Sequence, residues 1–349
     1  MVRALASVAP GTPLREGLDR VLQADRGALI VVGDSPAVLA ICSGGFHLGA
    51  EYTPQRLSEL AKMDGAIILA SDASRIAWAN VHLVPDPRVP TTETGTRHRT
   101  AERVARSIDV PVISVSEDLS MIAVYRHGDK HRLQPTPVLV NRANQALQTL
   151  ERYKNRLEAV SSSLTALEVE DLVTVRDVVA VLQRAEMVRR ISEEIDGYLV
   201  ELGDDGRLVL LQRNELMGGV EDDRRLVIKD YFHQGRTWRL EQAMDQLASL
   251  GTEDLLDLTR VASVLRLSPD GGELDATLQA RGYRLLSKVP GLPADLAERL
   301  VGHFGTLAKV MRATYDELAE VAGVGEARAR IVKDGLSRLA ETSILDRYS

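Results

Sequence analysis

The sequence predicts an α/β N-terminal domain built on a mixed central sheet flanked by helices, then an all-α connector, then an α-helical C-terminal module. Three observations predict this layout. Short unbroken apolar runs alternate with helix-period segments over the first 140 residues. Helical periodicity alone fills the middle of the chain. Two turns marked by glycine and proline separate short amphipathic segments near the end. Division is expected at residues 1–140, 141–284 and 285–349. That suits a chain of 349 residues at roughly 100–200 residues per domain.

Pro13 to Leu22 has the spacing of a short amphipathic helix. Ala28 to Val32 is an unbroken apolar run closed by the turn signal Gly33-Asp34-Ser35-Pro36, hence a buried strand. Val38 to Ile41 reads as a second buried strand, ended by Gly44-Gly45. Pro54 to Lys62 returns to helical spacing, with Leu57, Leu60 and Ala61 on one side. Ala66 to Ala70, Val112 to Val115 and Met121 to Tyr125 read as further buried strands. Such alternation indicates a sheet covered on both faces. Pro135-Thr136-Pro137 marks a boundary. Beyond it, Ala146, Leu147, Leu150, Tyr153 and Leu157 form one helical stripe, and Val178, Val179, Leu182, Met187, Val188 and Ile191 form another. Gly203-Asp204-Asp205-Gly206 breaks the chain. A helix–turn–helix is expected there rather than a β-hairpin, because the preceding helix reaches the turn without a stop signal. Leu240 to Leu265 is again of helical period. The last unit starts near Leu285, with turns at Val289-Pro290-Gly291-Leu292-Pro293 and Val321-Ala322-Gly323-Val324-Gly325.

Hydrophobic residues make up 44% of the chain, charged residues 27% and aromatic residues 4%, so Val, Leu, Ile and Ala must carry the packing. The lone cysteine, Cys42, excludes a disulfide framework and a cysteine zinc cluster, and reads as a buried strand residue. A reducing cytoplasm fits it. No apolar stretch reaches the ~18 residues of a membrane span, and the chain does not open with a basic segment and a long apolar run. No membrane association or secretory signal is therefore expected. The net charge of −7 argues against a protein that coats nucleic acid with its whole surface. From Arg281 to the end, however, the chain carries 11 basic and 9 acidic residues, which leaves room for a local nucleic-acid module.

Two segments carry the chemistry of the N-terminal domain. Met63-Asp64-Gly65-Ala66 stands just before a buried strand. A glycine there admits a ligand close to the backbone. Asp64 suits magnesium, which takes one or two protein carboxylates and fills its sphere with phosphates and water. The alternative is a plain Asp-Gly turn. The second segment is Gly95-Thr96-Arg97-His98-Arg99-Thr100. Ala101, Val104, Ala105 and Ile108 continue it as helix, so it is a helix N-terminus with free N–H groups and the positive end of the dipole. Arg97 and Arg99 work against that dipole unless an anion is bound. With the hydroxyls of Thr96 and Thr100 they suit phosphate. The alternative is a solvated basic turn. His98 either contacts phosphate, moves a proton or supports the loop. His127 and His131 have metal-like spacing, but Gly128-Asp129 between them reads as a hairpin tip.

Gly323-Val324-Gly325 lies between Tyr315–Val321 and Glu326–Leu339, both of helical period. Two glycines let a hairpin backbone approach phosphate, and the following helix start adds N–H donors. Arg328, Arg330 and Lys333 stand just beyond. This helix–hairpin–helix pattern is expected to grip a DNA backbone with little sequence specificity. The alternative is a plain helical-hairpin turn. The earlier hairpin has Pro293 where a second glycine would be usual, and so lacks that N–H.

Asp64-Gly65-Ala66 followed by Arg97-His98-Arg99, with Gly95-Thr96 before and Thr100-Ala101-Glu102-Arg103 after, resembles the paired signature of the diadenylate cyclase family. Connector residues 167–172 and 182–190 resemble those of its DNA integrity scanning branch. The resemblance implies a cyclase domain that condenses two ATP into cyclic di-AMP and releases two pyrophosphates. It implies that Asp64 holds Mg2+ or Mn2+ and helps activate the attacking hydroxyl. Gly65 and Leu83 would line the adenosine pocket. Thr96, Arg97, His98, Arg99 and Thr100 would grip the triphosphate, with Arg97, His98 and Arg99 joining Asp64 in catalysis. Ser116 and Glu117 would sit near the nucleotide. Two sites must face each other, so the chemistry needs at least a dimer. The resemblance implies a homo-octamer with cyclase domains head to head. It further implies that Gly323, Val324, Gly325, Arg328, Arg330 and Lys333 serve branched or damaged DNA, such as four-way junctions. DNA there would regulate synthesis, in the cytoplasm at the nucleoid. The competing expectation is an ATP-sensing, DNA-binding scaffold without turnover.

Overall fold

The computed structural model describes residues 1–117, 119–232, 240–267 and 273–348. Among them, eight strands make one sheet: β1 (Ala28–Val32), β2 (Cys42–Ser43), β3 (Phe46–Glu51), β4 (Ala66–Leu69), β5 (Arg75–Leu83), β6 (Val112–Ser116), β7 (Met121–Arg126) and β8 (Asp129–Arg132). The order is β2-β5-β4-β1-β6-β7-β8, with β3 paired to β5. β1 runs parallel to β4 and antiparallel to β6, so the sheet is mixed, as expected.

The chain divides into two compact units, and the sheet lies in the first, Met1–Gln145 with Ile195–Gln212. Side chains alternate across a strand. Ala28, Ile30 and Val32 of β1 therefore pack with Leu14, Leu18 and Val21 of the helix Pro13–Gln23. Leu29 and Val31 pack on the other face with Ala101, Val104 and Ala105 of the helix Thr96–Ser107. A fully buried Leu, Ile or Val contributes roughly 1.5–3 kcal/mol.

One expected strand is absent. Pro36–Leu39 is a short helix, because Ser35 caps it through its hydroxyl and Pro36 takes the first helical position. Cys42 is consequently half-buried at the start of the two-residue β2, its thiol 3.2 Å from the Val38 carbonyl. Three strands escaped the reading. β3 is mostly exposed, β8 is charged, and β5 is interrupted by register shifts and by Asn80 at φ +53°. None of them has the unbroken apolar run that marks β1, β4 and β7.

The second unit is Ala146–Glu194 with Arg213–Ser349, and its described elements are helical apart from one isolated bridge between Thr174 and Thr277. The helices Thr136–Glu170 and Val175–Leu202 carry the two expected stripes. Gly203–Gly206, which falls in the first unit rather than in the expected connector, is a single helical turn followed by the helix Arg207–Met217, so the helix–turn–helix reading holds over the hairpin. Leu240 to Leu265 is not one helix. It is divided into Leu240–Ser249, Thr252–Leu256 and Leu258–Val264, the last capped by Asp257. Among the described residues no helix is long and apolar enough to cross a membrane.

The core of this unit contains a polar cluster. Arg284 pairs with Glu168 at 2.5 Å, both side chains 0% exposed. Arg284 also donates to the hydroxyls of Thr165 at 2.8 Å and Ser161 at 3.1 Å, and the Tyr231 hydroxyl donates to Glu168 at 2.7 Å. Asp230 accepts the N–H groups of Gly282, Tyr283 and Arg284 at 2.8, 2.6 and 2.9 Å. Burial and the Glu168 charge push Asp230 up to about 7, against the pull of those N–H donors.

Candidate functional site

One end of the sheet collects most of the residues singled out in the N-terminal domain. Because β1 and β4 are parallel and β6 antiparallel, the starts of β1 and β4 and the end of β6 lie together. Asp64 and Gly65 immediately precede β4. Leu83 ends β5, and Ser116 ends β6. The Arg97 guanidinium donates to the Asp64 carboxylate at 3.1 Å, while the Asp64 side chain stays 97% exposed. A Cβ on Gly27, just before β1, would stand 2.0 Å from the Arg97 guanidinium, so that glycine gives Arg97 its room. Gly65 is constrained from the other side: a Cβ there would lie 2.3 Å from the Asn80 carbonyl carbon.

Arg97 reaches this place because Thr96–Ser107 is the helix expected from the sequence, with Gly95 at its N-cap, φ +79°, and no side chain capping it. Thr96 and Arg99 are exposed, and Arg97, His98 and Thr100 half-buried. The opposite face of the helix ties down the preceding loop. Glu102, 4% exposed, accepts from the Thr91 hydroxyl, from the Thr92 N–H at 2.9 Å and from the Glu93 N–H at 3.3 Å, and it pairs with Arg106 at 2.7 Å. Burial alone would raise this carboxyl, but the hydrogen bonds and the Arg106 charge hold it below the usual glutamate value. Arg103 and Arg106 grip the carbonyls of Val89 and Pro90 at 3.0 and 2.8 Å.

His98 Nδ1 lies 2.9 Å from the hydroxyl of the buried Tyr125. Burial, then the nearby Lys130 charge, lowers the His98 pKa below the usual imidazole value. Lys130 pairs with Glu93 at 2.5 Å. The expected hairpin tip is present, with His127 at φ +52° and Gly128 at φ +87° joining β7 to β8. Ser116 is half-buried and Glu117 exposed, while Leu83, 6% exposed, belongs to the apolar cluster beneath. Sequence reasoning missed Gly27, Asn80, Glu93, Glu102, Tyr125 and Lys130. One signal was available: Glu102 falls on the Ala101–Val104–Ala105 face, and a carboxylate on an apolar helix face must find donors.

One carboxylate with an exposed oxygen, next to the Arg97 guanidinium and an uncapped helix start, suits a divalent cation that takes its other ligands from phosphates and water. Among the described residues no group of three or more His, Cys, Asp or Glu side chains could hold a metal by itself.

In the second unit, Gly323 and Gly325 have φ of +89° and +62°, and Val324 between them is 3% exposed. Gly325 opens the helix Gly325–Tyr348. Arg330 is exposed, and Arg328 is exposed with its guanidinium donating to the Gly323 carbonyl at 2.8 Å. Lys333 is used internally. Its ammonium donates to the carbonyls of Met311 and Ala313 at 2.7 and 2.6 Å. Arg299, which sequence reasoning passed over, donates to the Ala322 carbonyl at 3.0 Å. In the earlier hairpin Gly291 takes φ +78° and Pro293 stands at the N-terminal boundary of the helix Ala294–Phe304 without a capping hydrogen bond.

Three family models match the chain. Residues 15–130 match the DisA bacterial checkpoint controller nucleotide-binding domain, residues 133–273 its linker region, and residues 283–338 a SAM-like helix-hairpin-helix tandem. The chain is 56% identical over 345 residues to the DNA integrity scanning protein DisA of Frankia alni, covering 99% of this chain and 96% of the relative. It is 55% identical over 351 residues to the protein of that name from Acidothermus cellulolyticus, covering 99% and 94%. For the one from Streptomyces coelicolor the figures are 53% over 351 residues, covering 100% and 94%.

Proposed function

We propose that this chain, which belongs to the DisA family of DNA integrity scanning proteins, is a diadenylate cyclase that condenses two ATP into cyclic di-AMP and two pyrophosphates. The observation that carries the reading is the meeting of Asp64 and Arg97 beside an uncapped helix start, with the carboxylate left open to solvent. Thr96, Arg97, His98, Arg99 and Thr100 grip the triphosphate. Gly65 and Leu83 line the adenosine side, and Ser116 and Glu117 lie near the nucleotide. Asp64 holds Mg2+ or Mn2+, which supplies charge neutralisation at the phosphates and lowers the cost of ionising the attacking hydroxyl.

Each ATP offers a 3′-hydroxyl and an α-phosphate. One site brings only one nucleotide, so two copies must face each other. Each 3′-oxygen then forms a bond to the opposite α-phosphorus as the bond to pyrophosphate breaks, and the hydroxyl proton passes to water. The work of the chain is positioning and charge stabilisation. We extend the reading to a homo-octamer with cyclase domains head to head, acting in the cytoplasm at the nucleoid. Function follows the division 1–140, 141–284 and 285–349. The last segment holds branched DNA such as four-way junctions through Gly323, Val324, Gly325, Arg328 and Arg330, and bound DNA regulates synthesis. Lys333 contributes less, since two of its three donors are engaged.

The test is incubation of the full chain with ATP and Mg2+ or Mn2+, with the product identified by mass. Cyclic di-AMP is expected, and Asp64→Asn is expected to abolish it. ATP binding without pyrophosphate release would favour the scaffold reading. Equal rates with and without a four-way junction would remove the regulatory part.

A further inference from the structure

Resting on the reading of the C-terminal segment as a DNA grip, we propose that Arg299 is a positioning residue for the second hairpin. From the helix after the first hairpin it holds the Ala322–Gly323 peptide so that the Gly323 N–H faces a phosphate. Its own charge is spent inside the protein and not on DNA.

The two hairpins are unequal. The first has Pro293 in place of a second glycine, and proline offers no N–H. The second has Gly323 at φ +89° and Gly325 at φ +62°. Between them Val324 sets the turn. Its side chain is buried, and its N–H bonds to the Val321 carbonyl at 2.9 Å. Among the described residues the Gly323 N–H has no acceptor.

Arg299 lies on the helix Ala294–Phe304. Its guanidinium donates to the Ala322 carbonyl at 3.0 Å and stands 3.6 Å from the Asp295 carboxylate, one turn earlier on the same helix. A planar fork held at two points fixes direction as well as distance. The peptide bond is planar and trans, so the Ala322 oxygen and the Gly323 hydrogen point opposite ways. A donor fastened to that oxygen therefore turns the N–H away from Arg299, at an exposed residue. The charged donor also polarises the peptide, which strengthens its N–H as a donor.

Gly323 is fitted to this contact. A Cβ there would stand 2.8 Å from the Arg299 guanidinium and 3.3 Å from the Leu296 side chain of the same helix. The glycine thus serves both the positive φ and the approach of Arg299. Arg328 closes the next carbonyl, that of Gly323, at 2.8 Å from the following helix. Arg330 differs from both. It is exposed and has no partner among the described residues, which leaves its charge for phosphate.

A brace and a phosphate contact differ in their response to salt. Each phosphate neutralised by a protein cation adds about −0.9 to the slope of log affinity against log salt, because counterions are released. A neutral N–H releases none. The test is a fluorescence anisotropy titration of the full chain against a labelled four-way junction at several salt concentrations. Arg299→Met keeps the stem and removes the donors. It is expected to bind about five- to tenfold more weakly at every salt concentration, with the slope unchanged. Arg330→Met is the comparison, and its slope should flatten by about one. Arg299→Lys, which can still donate to one carbonyl, should recover part of the affinity. If Arg299→Met does not fold, Arg299→Gln also removes the charge and is read by the same slope. A slope flattened by about one in the Arg299 variant makes Arg299 a phosphate contact. An affinity equal to that of the unmodified chain makes it idle. Either result overturns the inference and leaves the DNA reading standing. No binding of the junction by the unmodified chain overturns that reading and this inference with it.

Discussion

The two places where this chain gathers charge follow opposite rules. At the sheet end, the Asp64 side chain is 97% exposed and shares a single ion pair with Arg97, while Thr96 and Arg99 face water. In the second unit the Arg284 and Glu168 side chains are 0% exposed, and Arg284 spreads its donors over Glu168, Thr165 and Ser161. The difference follows from solvation. A charge removed from water costs several kcal/mol unless protein partners replace the lost hydrogen bonds, so the buried cluster must be complete in itself. An exposed set is already solvated and exchanges water for a ligand cheaply. The first arrangement leaves capacity for chemistry, and the second spends all of it on structure. Disruption should therefore appear as lost stability in one place and as lost activity in the other.

The largest effect is expected from Arg284→Met. It leaves Glu168 buried without its cation and should cost ~3–5 kcal/mol of stability, read as a lowered urea midpoint. Replacing Glu168 by Met as well should recover part of the loss, because no bare charge remains. A single variant as stable as the parent would break the comparison. Gly65→Ala comes next, and it sharpens the comparison because it is a packing constraint inside the exposed site. Its Cβ meets the backbone of Asn80 at 2.3 Å, so β5 must shift, at about 1–3 kcal/mol, and cyclase activity should fall with stability.

A further effect concerns pH. Asp230 is pushed up to about 7 from the ordinary 3.8, so the folded state holds its proton where the unfolded chain has released it. Its contribution to stability is complete below the unfolded value and is lost as pH rises through about 7. Urea midpoints should fall across that window, and Asp230→Asn should flatten the profile. A slope that persists in the variant assigns the effect to another group. Smallest of all is the stability change in Asp64→Asn, within about 0.5 kcal/mol, since the side chain is solvated. Product formation should nevertheless vanish. A large drop in melting temperature would mean that Asp64 does structural work.

Much of this was legible in the residues, for a local reason. Ala28–Val32 and Ala66–Leu69 are short apolar runs, and a strand buried on both faces needs little else. The helix start at Gly95–Thr96 was legible because apolar period and basic residues conflict there unless an anion is bound. Val38 to Ile41 misled because an apolar run looks the same in a strand and in one helical turn. Ser35-Pro36, a capping pair, decided for helix. β5 was missed because its bulges and Asn80 at φ +53° destroy the alternation that periodicity needs.

By itself, the sequence determined the strands β1, β4, β6 and β7, the helix start at Thr96 and the glycine hairpin, since each depends on residues within a few positions of one another. Only the tertiary structure decided which polar groups meet. Arg97 finds Asp64 from 33 residues away, Tyr125 finds His98 from 27, and Arg284 finds Glu168 from 116. Apolar burial is non-directional and leaves a periodic trace in the chain. A hydrogen bond is directional, and its partner is chosen by where the folded backbone passes.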